Sequence, residues 1–298
     1  MFFSKFSTDG KICSLLVKKF FKSNDELKVC DFSDINDKVN DYLDHIEQYD
    51  NYEKNLFILD IHVSLETAKR IEKMKNRFKN LLLIDHIPNN HYYLKKFDWT
   101  KLSNNKVSSS KILFSYLDEK NLIDDYSYEH IVDVVDENEK LNWLDNQSEE
   151  IKFLNDLNVT LPSKEFINRL MMNSSLKPSK KEKSLIELRN KEIENSIKSI
   201  NPVIKGKTCY IFAFKYINEI SKHFFNSNSN IEMVIAVNPM NQTVSYRSKN
   251  SKNDASEVAK MYNGNGNSLI AGSKIENNIM ESLFETIMGV HNLKDYTN

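Results

Sequence analysis

The segment LLLIDHIPNN at residues 81–90 gives the first indication of how this chain folds. Its four leading apolar residues predict a short buried strand, which ends in Asp85 and His86. A second apolar run, LFILD at residues 56–60, ends in Asp60 in the same way. The carboxyl ends of strands in an open α/β sheet meet along one crevice where ligands bind, so these strand ends predict a functional site.

Strand-like and helix-like segments alternate through the first part of the chain. Apolar residues with helical spacing run from Ile12 to Phe21 and from Leu65 to Phe78, and further helices are predicted at 108–120 and 127–136. This alternation predicts a parallel sheet covered by helices. The strand-like segments are short, apolar and bounded by polar residues, and they lie at 1–4, 28–32, 56–60 and 81–85.

The rest of the chain predicts a helical connection and a second α/β unit. Residues 146–200 are helical and strongly charged, and Asn201-Pro202 ends the last helix because the residue before proline avoids the α conformation. Strands are predicted at 208–214, 231–237 and 243–247, the last two as a hairpin, with helices at 215–225, 254–262 and 276–288.

The predicted fold class is therefore α/β with two domains. We expect an N-terminal domain with a parallel sheet at 1–180, a linker helix at 181–203, and a smaller C-terminal α/β domain with a mixed sheet at 204–298.

Composition excludes some classes of protein. The 41 basic and 42 acidic residues nearly cancel, so no general positive field favours long nucleic acid, whereas a local patch still suits a small phosphate ligand. The three cysteines fit neither a zinc motif nor a disulfide framework, which favours a cytoplasmic protein, in the host cytoplasm if a phage encodes it. We see no signal peptide and no apolar run that could span a bilayer, and expect no membrane association. The oligomeric state is left open, a homodimer included.

Three strand ends supply side chains that bind divalent ions. Asp9 follows the first strand in the turn before a helix, and Asp60 and the Asp85-His86 pair end two further strands. Carboxylate oxygens and an imidazole suit Mn²⁺ or Mg²⁺. Each residue also has an ordinary structural interpretation, since Asp9-Gly10 is common turn chemistry and Asp85-His86 can form a hydrogen-bonded turn. Their combination at one sheet edge favours a metal site.

A later helix offers a fourth ligand. Asp133 and Asp136 are three residues apart and share one face of that helix. A solvated acidic face that includes Glu137 and Glu139 explains them equally well.

A strand and a loop in the second unit together indicate a phosphate site. The strand carries Ser245 and Arg247, and an arginine at a strand end can bind phosphate with a bidentate fork. The loop contains Gly264 and Gly266, followed by Asn267, and clustered glycines let backbone amides approach a phosphate. A flexible loop has the same composition, so the prediction depends on Arg247 and the loop together.

The residues of the first domain resemble, in their order, the motifs of the DHH/DHHA1 phosphoesterase family, which includes the nanoRNases. The family's His-x-Asp-x-Asp-Gly motif stands here as KFSTDG at residues 5–10, and its strand-end aspartate as Asp60. Its Asp-His-His motif stands as DHI at residues 85–87, and its late acidic residue is matched by Asp136 or Asp133.

The resemblance extends into the second domain and so covers nearly the whole chain. The family's arginine-bearing strand resembles the strand of Arg247. Its Gly-Gly-Gly-His loop, which ends in Ala-Ala-Gly, resembles GNGN at residues 264–267 and IAG at residues 270–272. The order and spacing of the motifs match, while each single motif has changed.

The resemblance implies a centre for two divalent ions that share Asp60. Lys5 and Ser7 replace the ligands specific to one ion, so we expect one Mn²⁺ or Mg²⁺ ion rather than two. The ligands of the surviving ion correspond to Asp9, Asp60, His86 and either Asp136 or Asp133.

The resemblance also implies catalytic and substrate-binding roles. Asp85 would orient His86, and Lys5 would bind phosphate or balance the charge of Asp60. Ile87 stands where the family has a histidine, which removes a group for phosphate contact or proton transfer. Substrate would bind in a cleft between the two domains, against Arg247, Ser245, Gly264, Gly266 and Asn267, of which Asn267 also replaces a histidine.

Two main functions follow from these expectations. The first is a phosphoesterase that uses one ion to hydrolyse short oligonucleotides or linear or cyclic dinucleotides. The alternative is a weak or inactive relative that sequesters a small nucleotide or docks on a larger nucleic-acid machine. A scaffold whose cleft residues are relics is a third interpretation, and the retained ligand set argues against it.

Overall fold

Two compact units make up the part of the chain that the structure describes. The computed structural model describes residues 1–275 apart from 24, 50–53, 87–88, 104–106 and 142. Contacts divide the chain into Met1–Ile186 and a second unit that begins at Glu187. Ile87 and the helix predicted at 276–288 lie outside the described residues.

The sheet of the first unit positions the candidate site. It consists of β1 (Phe2–Lys5), β2 (Leu27–Cys30), β3 (Lys54–Leu59), β4 (Phe78–His86) and β5 (Thr100–Ser103). All neighbouring strands are parallel, in the order β2-β1-β3-β4-β5, which confirms the predicted parallel sheet. The order reverses between β1 and β3, and at such a point the strand ends leave a crevice for a ligand. The short edge strand β5 was not predicted.

Helices cover both faces of this sheet. They are α1 (Thr8–Phe20), α2 (Ile35–Tyr49), α3 (Leu65–Lys73), α4 (Ser109–Glu119), α5 (Glu129–Lys140), α6 (Glu149–Thr160) and α7 (Ser163–Met172). Phe57 and Leu59 of β3 join the apolar cluster of α1 and α4, whereas Leu56 and Ile58 join that of α2 and α3. This alternation is expected of a strand buried on both sides.

The helix predicted at 127–136 differs from the observed one in its extent. Helix α5 begins at Glu129 and continues to Lys140, one turn beyond the predicted end. The extra turn is relevant to the site because it includes Glu139, which then lies on the same side of the helix as Asp136.

The second unit contains a mixed sheet. Its strands are β6 (Val203–Lys205), β7 (Thr208–Phe212), β8 (Met233–Asn238), β9 (Thr243–Ser248), β10 (Asn265–Gly266) and β11 (Ile270–Lys274). The order is β10-β11-β9-β8-β7-β6, and only the β7–β8 pair among these is parallel. The predicted hairpin is therefore confirmed as β8–β9. Among its described residues, the helices are α9 (Ile217–Ser227) and α10 (Ala255–Lys260).

A long polar helix is present where the charge pattern predicts one. Helix α8 runs from Lys180 to Ser199. No helix in the described part of the chain is both long enough and apolar enough to cross a membrane. Cys13, Cys30 and Cys209 are buried free thiols.

Candidate metal centre

The carboxyl ends of β1, β3 and β4 bring the candidate ligands together. Asp9 lies in the first turn of α1, directly after β1. Asp60 follows β3, and His86 is the last residue of β4. Each of the three offers one ligand atom, and these atoms lie within 4.8 Å of one another. Two carboxylates and an imidazole at this separation fit a single Mn²⁺ or Mg²⁺ ion.

Asp9 is held by the N-terminus of helix α4. Its side chain is fully buried, and its two oxygens accept hydrogen bonds from the amides of Ser109 and Ser110 at 2.7 and 2.8 Å. These amides have no partner within their own helix, and the helix dipole favours a negative charge there. The N-cap of α1 is Ser7, whose hydroxyl accepts from Gly10 N at 2.9 Å. Asp9 thus lies within α1 and is not its N-cap.

Asp60 occupies a left-handed backbone position at the end of β3. Its φ is 58°, a conformation that aspartate adopts more readily than most residues. Its amide donates to Ile84 O at 2.8 Å, which ties the turn to β4. The side chain is 1% exposed, and it accepts from Ser109 Oγ at 3.0 Å and from Ser7 Oγ at 2.5 Å. The fold therefore fixes both oxygens of this carboxylate.

His86 faces the two carboxylates with one ring nitrogen. Its Nδ1 is 3.2 Å from Asp60 Oδ1, 3.8 Å from Asp9 Oδ2 and 3.1 Å from Ser109 Oγ. Its Nε2 lies 3.7 Å from Glu139 Oε2. Histidines that bind metals usually direct the other ring nitrogen to a carboxylate, which fixes the ring. Glu139 is in the position to do this.

The charges in this cluster shift the pKa values of its members. Burial, followed by the charges of Asp60 and Glu139, raises the pKa of Asp9 to about 8. The hydrogen bond to Asp60 raises the pKa of His86 to about 9. Burial opposes ionisation of Asp60, but His86 and Lys5 outweigh it and lower the pKa of that carboxyl. Without a cation the cluster thus retains protons at neutral pH, and a divalent ion would displace them.

Lys5 and Ser7 lie on the other side of Asp60. Lys5 Nζ is 4.0 Å from Asp60 Oδ2, the same oxygen that accepts from Ser7 Oγ. Burial opposes the ammonium form, yet Asp60 and the neighbouring acids raise the pKa of Lys5. A fixed positive charge and a hydroxyl therefore surround the oxygen that points away from His86.

Asp85 pairs with a histidine other than the expected one. Its Oδ2 lies 2.7 Å from Nδ1 of His62, two residues beyond Asp60. Asp85 and His86 are consecutive on β4, and successive side chains of a strand point to opposite faces, so Asp85 is not placed to orient His86. The expectation that Asp85 orients His86 is therefore wrong, and the carboxylate beside the His86 ring is that of Glu139. His62 carried no sequence signal beyond its place near a strand end.

The acidic residues of α5 separate into three environments. Asp133 is 54% exposed and pairs with Lys111, as in the solvated interpretation. Asp136 is buried, accepting from Ser108 N at 2.7 Å and pairing with Lys140 at 2.5 Å. Burial opposes ionisation of Asp136, but Lys140 and the Ser108 amide lower its pKa. Asp136 is thus held by Ser108 and Lys140, and among these acidic residues Glu139 is the one described next to His86.

Arg247 in the second unit has neutral partners. Its Nε donates to Asn218 Oδ1 at 2.7 Å, and its Nη1 donates to the carbonyls of Tyr246 and Ala271 at 3.0 and 3.5 Å. Burial lowers the pKa of Arg247 to about 10. Ser245 lies two residues earlier on β9, on the same face of the sheet, opposite Ala236 and Gly272. A partly buried guanidinium with no described carboxylate partner suits an anion.

The glycine-containing loop is a hairpin whose amides are already used. Gly264 N and Gly266 N donate to Ala259 O and Asn265 Oδ1, both at 2.8 Å. Asn267 Oδ1 accepts from Leu269 N and Ile270 N, both at 2.9 Å. Gly266 has a φ of 152°, and a Cβ there would lie 2.4 Å from Ala271 Cα. Close packing thus explains the glycines, and these amides are not free to cradle a phosphate.

Comparison with known proteins agrees with this fold. No family model matches the chain. It is 22% identical over 289 residues to the oligoribonuclease NrnB of Bacillus subtilis, covering 92% of this chain and 72% of that protein. The structure is similar to the pGpG-specific phosphodiesterase PggH of Vibrio cholerae, with a TM-score of 0.57 and 10% identity over 97% of both chains. These similarities support the assignment to the DHH/DHHA1 phosphoesterase family that the motifs imply.

The DHH/DHHA1 assignment also agrees with a larger neighbour. RecJ of Thermus thermophilus in complex with Mn²⁺ has a TM-score of 0.58 and 10% identity to the chain. The match covers 97% of this chain and 50% of RecJ, so the chain spans half of that protein. At this identity the likeness shows the fold alone.

Proposed function

We propose that this DHH-family protein is a phosphoesterase that hydrolyses phosphodiester bonds of short oligonucleotides or dinucleotides with one bound Mn²⁺ or Mg²⁺ ion. The observation that carries the proposal is the cluster of buried Asp9 and Asp60 with half-buried His86, whose ligand atoms lie within 4.8 Å of one another. The substrate class is supported by the oligoribonuclease and the pGpG phosphodiesterase among the similar proteins.

Asp9, Asp60 and His86 would hold the ion. When bound, such an ion polarises a phosphoryl oxygen and lowers the pKa of a water molecule. The hydroxyl of Ser109 and the α4 amides keep the two carboxylates in place, so the ligands do not have to be ordered by the ion. Glu139 would hold the ring of His86 through Nε2.

The positive charge of Lys5 would partly replace that of the second ion in a two-ion centre. Its ammonium lies 4.0 Å from Asp60 Oδ2, and Ser7 donates to the same oxygen. The ammonium can stabilise negative charge on a phosphoryl oxygen, but it cannot activate water as a divalent ion does. We therefore expect slower turnover than a two-ion centre would give.

In the second unit, we assign phosphate binding to Arg247 and not to the amides of the glycine loop. Asn218 holds the guanidinium through Nε at 2.7 Å. The described amides at 264, 266, 267, 269 and 270 are all occupied within the hairpin or by helix α10. Residues 204–298 would accordingly form the substrate-binding domain, with Ser245 beside Arg247.

The activity test is Mn²⁺-dependent release of mononucleotides from a short oligoribonucleotide. Asp60→Ala should abolish release, because Asp60 supplies a ligand and also contacts Lys5. Asp133→Ala is the matched control, since this aspartate is 54% exposed and pairs with Lys111. Equal activity of Asp60→Ala and the native protein would refute the proposal.

A binding protein is the second candidate. It is favoured by the hydrogen bond from Ser7 to Asp60 Oδ2, because this oxygen is then satisfied without any second ion. A nucleotide that raises the melting temperature while no divalent ion supports turnover would establish this function. The double substitution Lys5→His with Ser7→Asp further distinguishes the phosphoesterase from the binding protein. If the protein is a phosphoesterase, this substitution should raise both its turnover and the number of ions it binds.

A further inference from the structure

An aromatic side chain that the metal centre does not use lies at the same edge of the sheet. Phe32 follows the carboxyl end of β2, and 56% of its surface is exposed. Single exposed apolar residues are common and need no explanation of their own. Phe32 differs from such a residue in its neighbours, which connect it to the candidate site.

Two of these neighbours are His62 and Lys5. The rings of Phe32 and His62 are 5.0 Å apart between centroids and inclined by 48°. Lys5 Nζ lies 5.9 Å from the Phe32 ring centre and 4.0 Å from Asp60 Oδ2. One ammonium group is therefore close both to the exposed ring and to a carboxylate of the metal centre.

The platform formed by Phe32 and His62 is held in place from both sides. His62 is fixed by Asp85, whose Oδ2 is 2.7 Å from its Nδ1. The turn that carries Phe32 is closed by two aspartates, since Asp31 accepts from Ser33 N at 2.7 Å and Asp34 accepts from Asp31 N at 3.0 Å. Platforms that are ordered before a ligand arrives bind it with a smaller entropy loss.

We infer that Phe32, supported by His62, stacks against a nucleobase of the substrate whose phosphate lies at Lys5 and the metal centre. The inference rests on the proposed function, because it needs a phosphate at that centre. Aromatic side chains next to positive groups are the usual means of binding bases without regard to sequence. The same arrangement explains why Asp85 pairs with His62: the carboxylate positions a ring of the platform instead of a metal ligand.

The test uses two ligands that differ only in their bases. One is a phosphorothioate dinucleotide containing 2-aminopurine, whose fluorescence is quenched on stacking, and the other is the matching dinucleotide with abasic sugars. Phe32→Ala should weaken binding of the first ligand about 5- to 100-fold and remove the quenching. Binding of the abasic ligand should be unchanged. Phe32→Tyr should restore affinity and quenching, whereas Phe32→Leu should restore neither.

A matched control is Tyr126→Ala. Tyr126 is 55% exposed and its hydroxyl pairs with Asp118, near the opposite end of α4 from the amides that hold Asp9. This variant should bind both ligands as the native protein does. Equal losses for the two ligands in Phe32→Ala, or quenching that persists without Phe32, would overturn the inference.

The outcomes also separate this inference from the proposed activity. Quenching that depends on Phe32 in a protein that hydrolyses no oligonucleotide would leave the base platform standing and refute the phosphoesterase. Hydrolysis that is insensitive to Phe32, with unchanged KM for short oligonucleotides, would refute the platform alone. Failure of the native protein to bind either ligand would refute both.

Discussion

The two oxygens of Asp60 lie in contrasting surroundings. Near Oδ1 are His86 Nδ1 at 3.2 Å and the hydroxyl of Ser109 at 3.0 Å, with Asp9 close by. Near Oδ2 are Ser7 Oγ at 2.5 Å and the ammonium of Lys5 at 4.0 Å. The first side gathers ligands and excess negative charge, and the second is already neutralised. Under the proposed function, Lys5 would supply positive charge on one side of Asp60, and the other side would hold the ion.

The largest expected effect is on Mn²⁺ affinity, and it is tested by removing one group from each side of Asp60 in turn. Asp9→Ala should weaken Mn²⁺ binding by more than about 100-fold, because it deletes a ligand and not merely a supporting contact. Lys5→Met should strengthen Mn²⁺ binding or leave it unchanged, because it removes a nearby positive charge. Titration calorimetry with Mn²⁺ measures both. A comparable loss of affinity in Lys5→Met would show that the Lys5 side also binds the ion.

The second expected effect is a pH dependence confined to the His86 side. The pKa values of His86 and Asp9, raised to about 9 and about 8, mean that an ion must displace protons at neutral pH. Affinity for Mn²⁺ should therefore rise between pH 6 and pH 8, by about tenfold per pH unit for each proton released, and level off above the two pKa values. Calorimetry in buffers of different ionisation enthalpy counts the protons. Binding without proton release would contradict the assignment of these ligands.

A smaller effect on Mn²⁺ affinity is expected from Glu139, the carboxylate described beside His86 Nε2. Glu139→Gln keeps the size of the side chain but removes the charge beside Nε2, so it should lower Mn²⁺ affinity about tenfold. Glu137→Gln is the control, since Glu137 is an exposed residue of the same helix. Equal affinities of the two variants would mean that Glu139 has no part in positioning the ring.

The smallest expected effect concerns stability. Asp136→Asn weakens the contacts of this side chain with Ser108 N and Lys140, which support the start of α4. We expect a loss of about 1 kcal/mol in the free energy of unfolding, as for other groups that satisfy helix N-termini. Denaturation of the metal-free protein measures it, with Asp133→Asn as the exposed control. A direct loss of bound Mn²⁺ at unchanged stability would instead make Asp136 a ligand.

Sequence patterns predicted the parallel sheet and the meeting of Asp9, Asp60 and His86, because strand periodicity and strand ends are local signals. They did not predict that Glu139 lies beside His86, because the predicted helix ended at 136 whereas α5 continues for one more turn. They also assigned Asp85 to its neighbour along the chain, whereas pleating turns it toward His62 in the loop after β3. The glycine loop was expected to face a ligand, but its amides are satisfied by Asn265, Asn267 and Ala259. The Asp85–His62 pair depends on a tertiary contact and the loop amides depend on local turns, and composition encodes neither.

The anchoring of Asp9 by two amides of α4 affects how an ion can be recognised. A carboxylate on a mobile side chain can shift to suit ions of different radius, but Asp9 is fully buried and is held at 2.7 and 2.8 Å by a helix end. Rotational freedom of this ligand is lost when the chain folds and not when the ion binds. Size discrimination between Mg²⁺, Mn²⁺ and the larger Ca²⁺ would then be set by the rigidity of the helix.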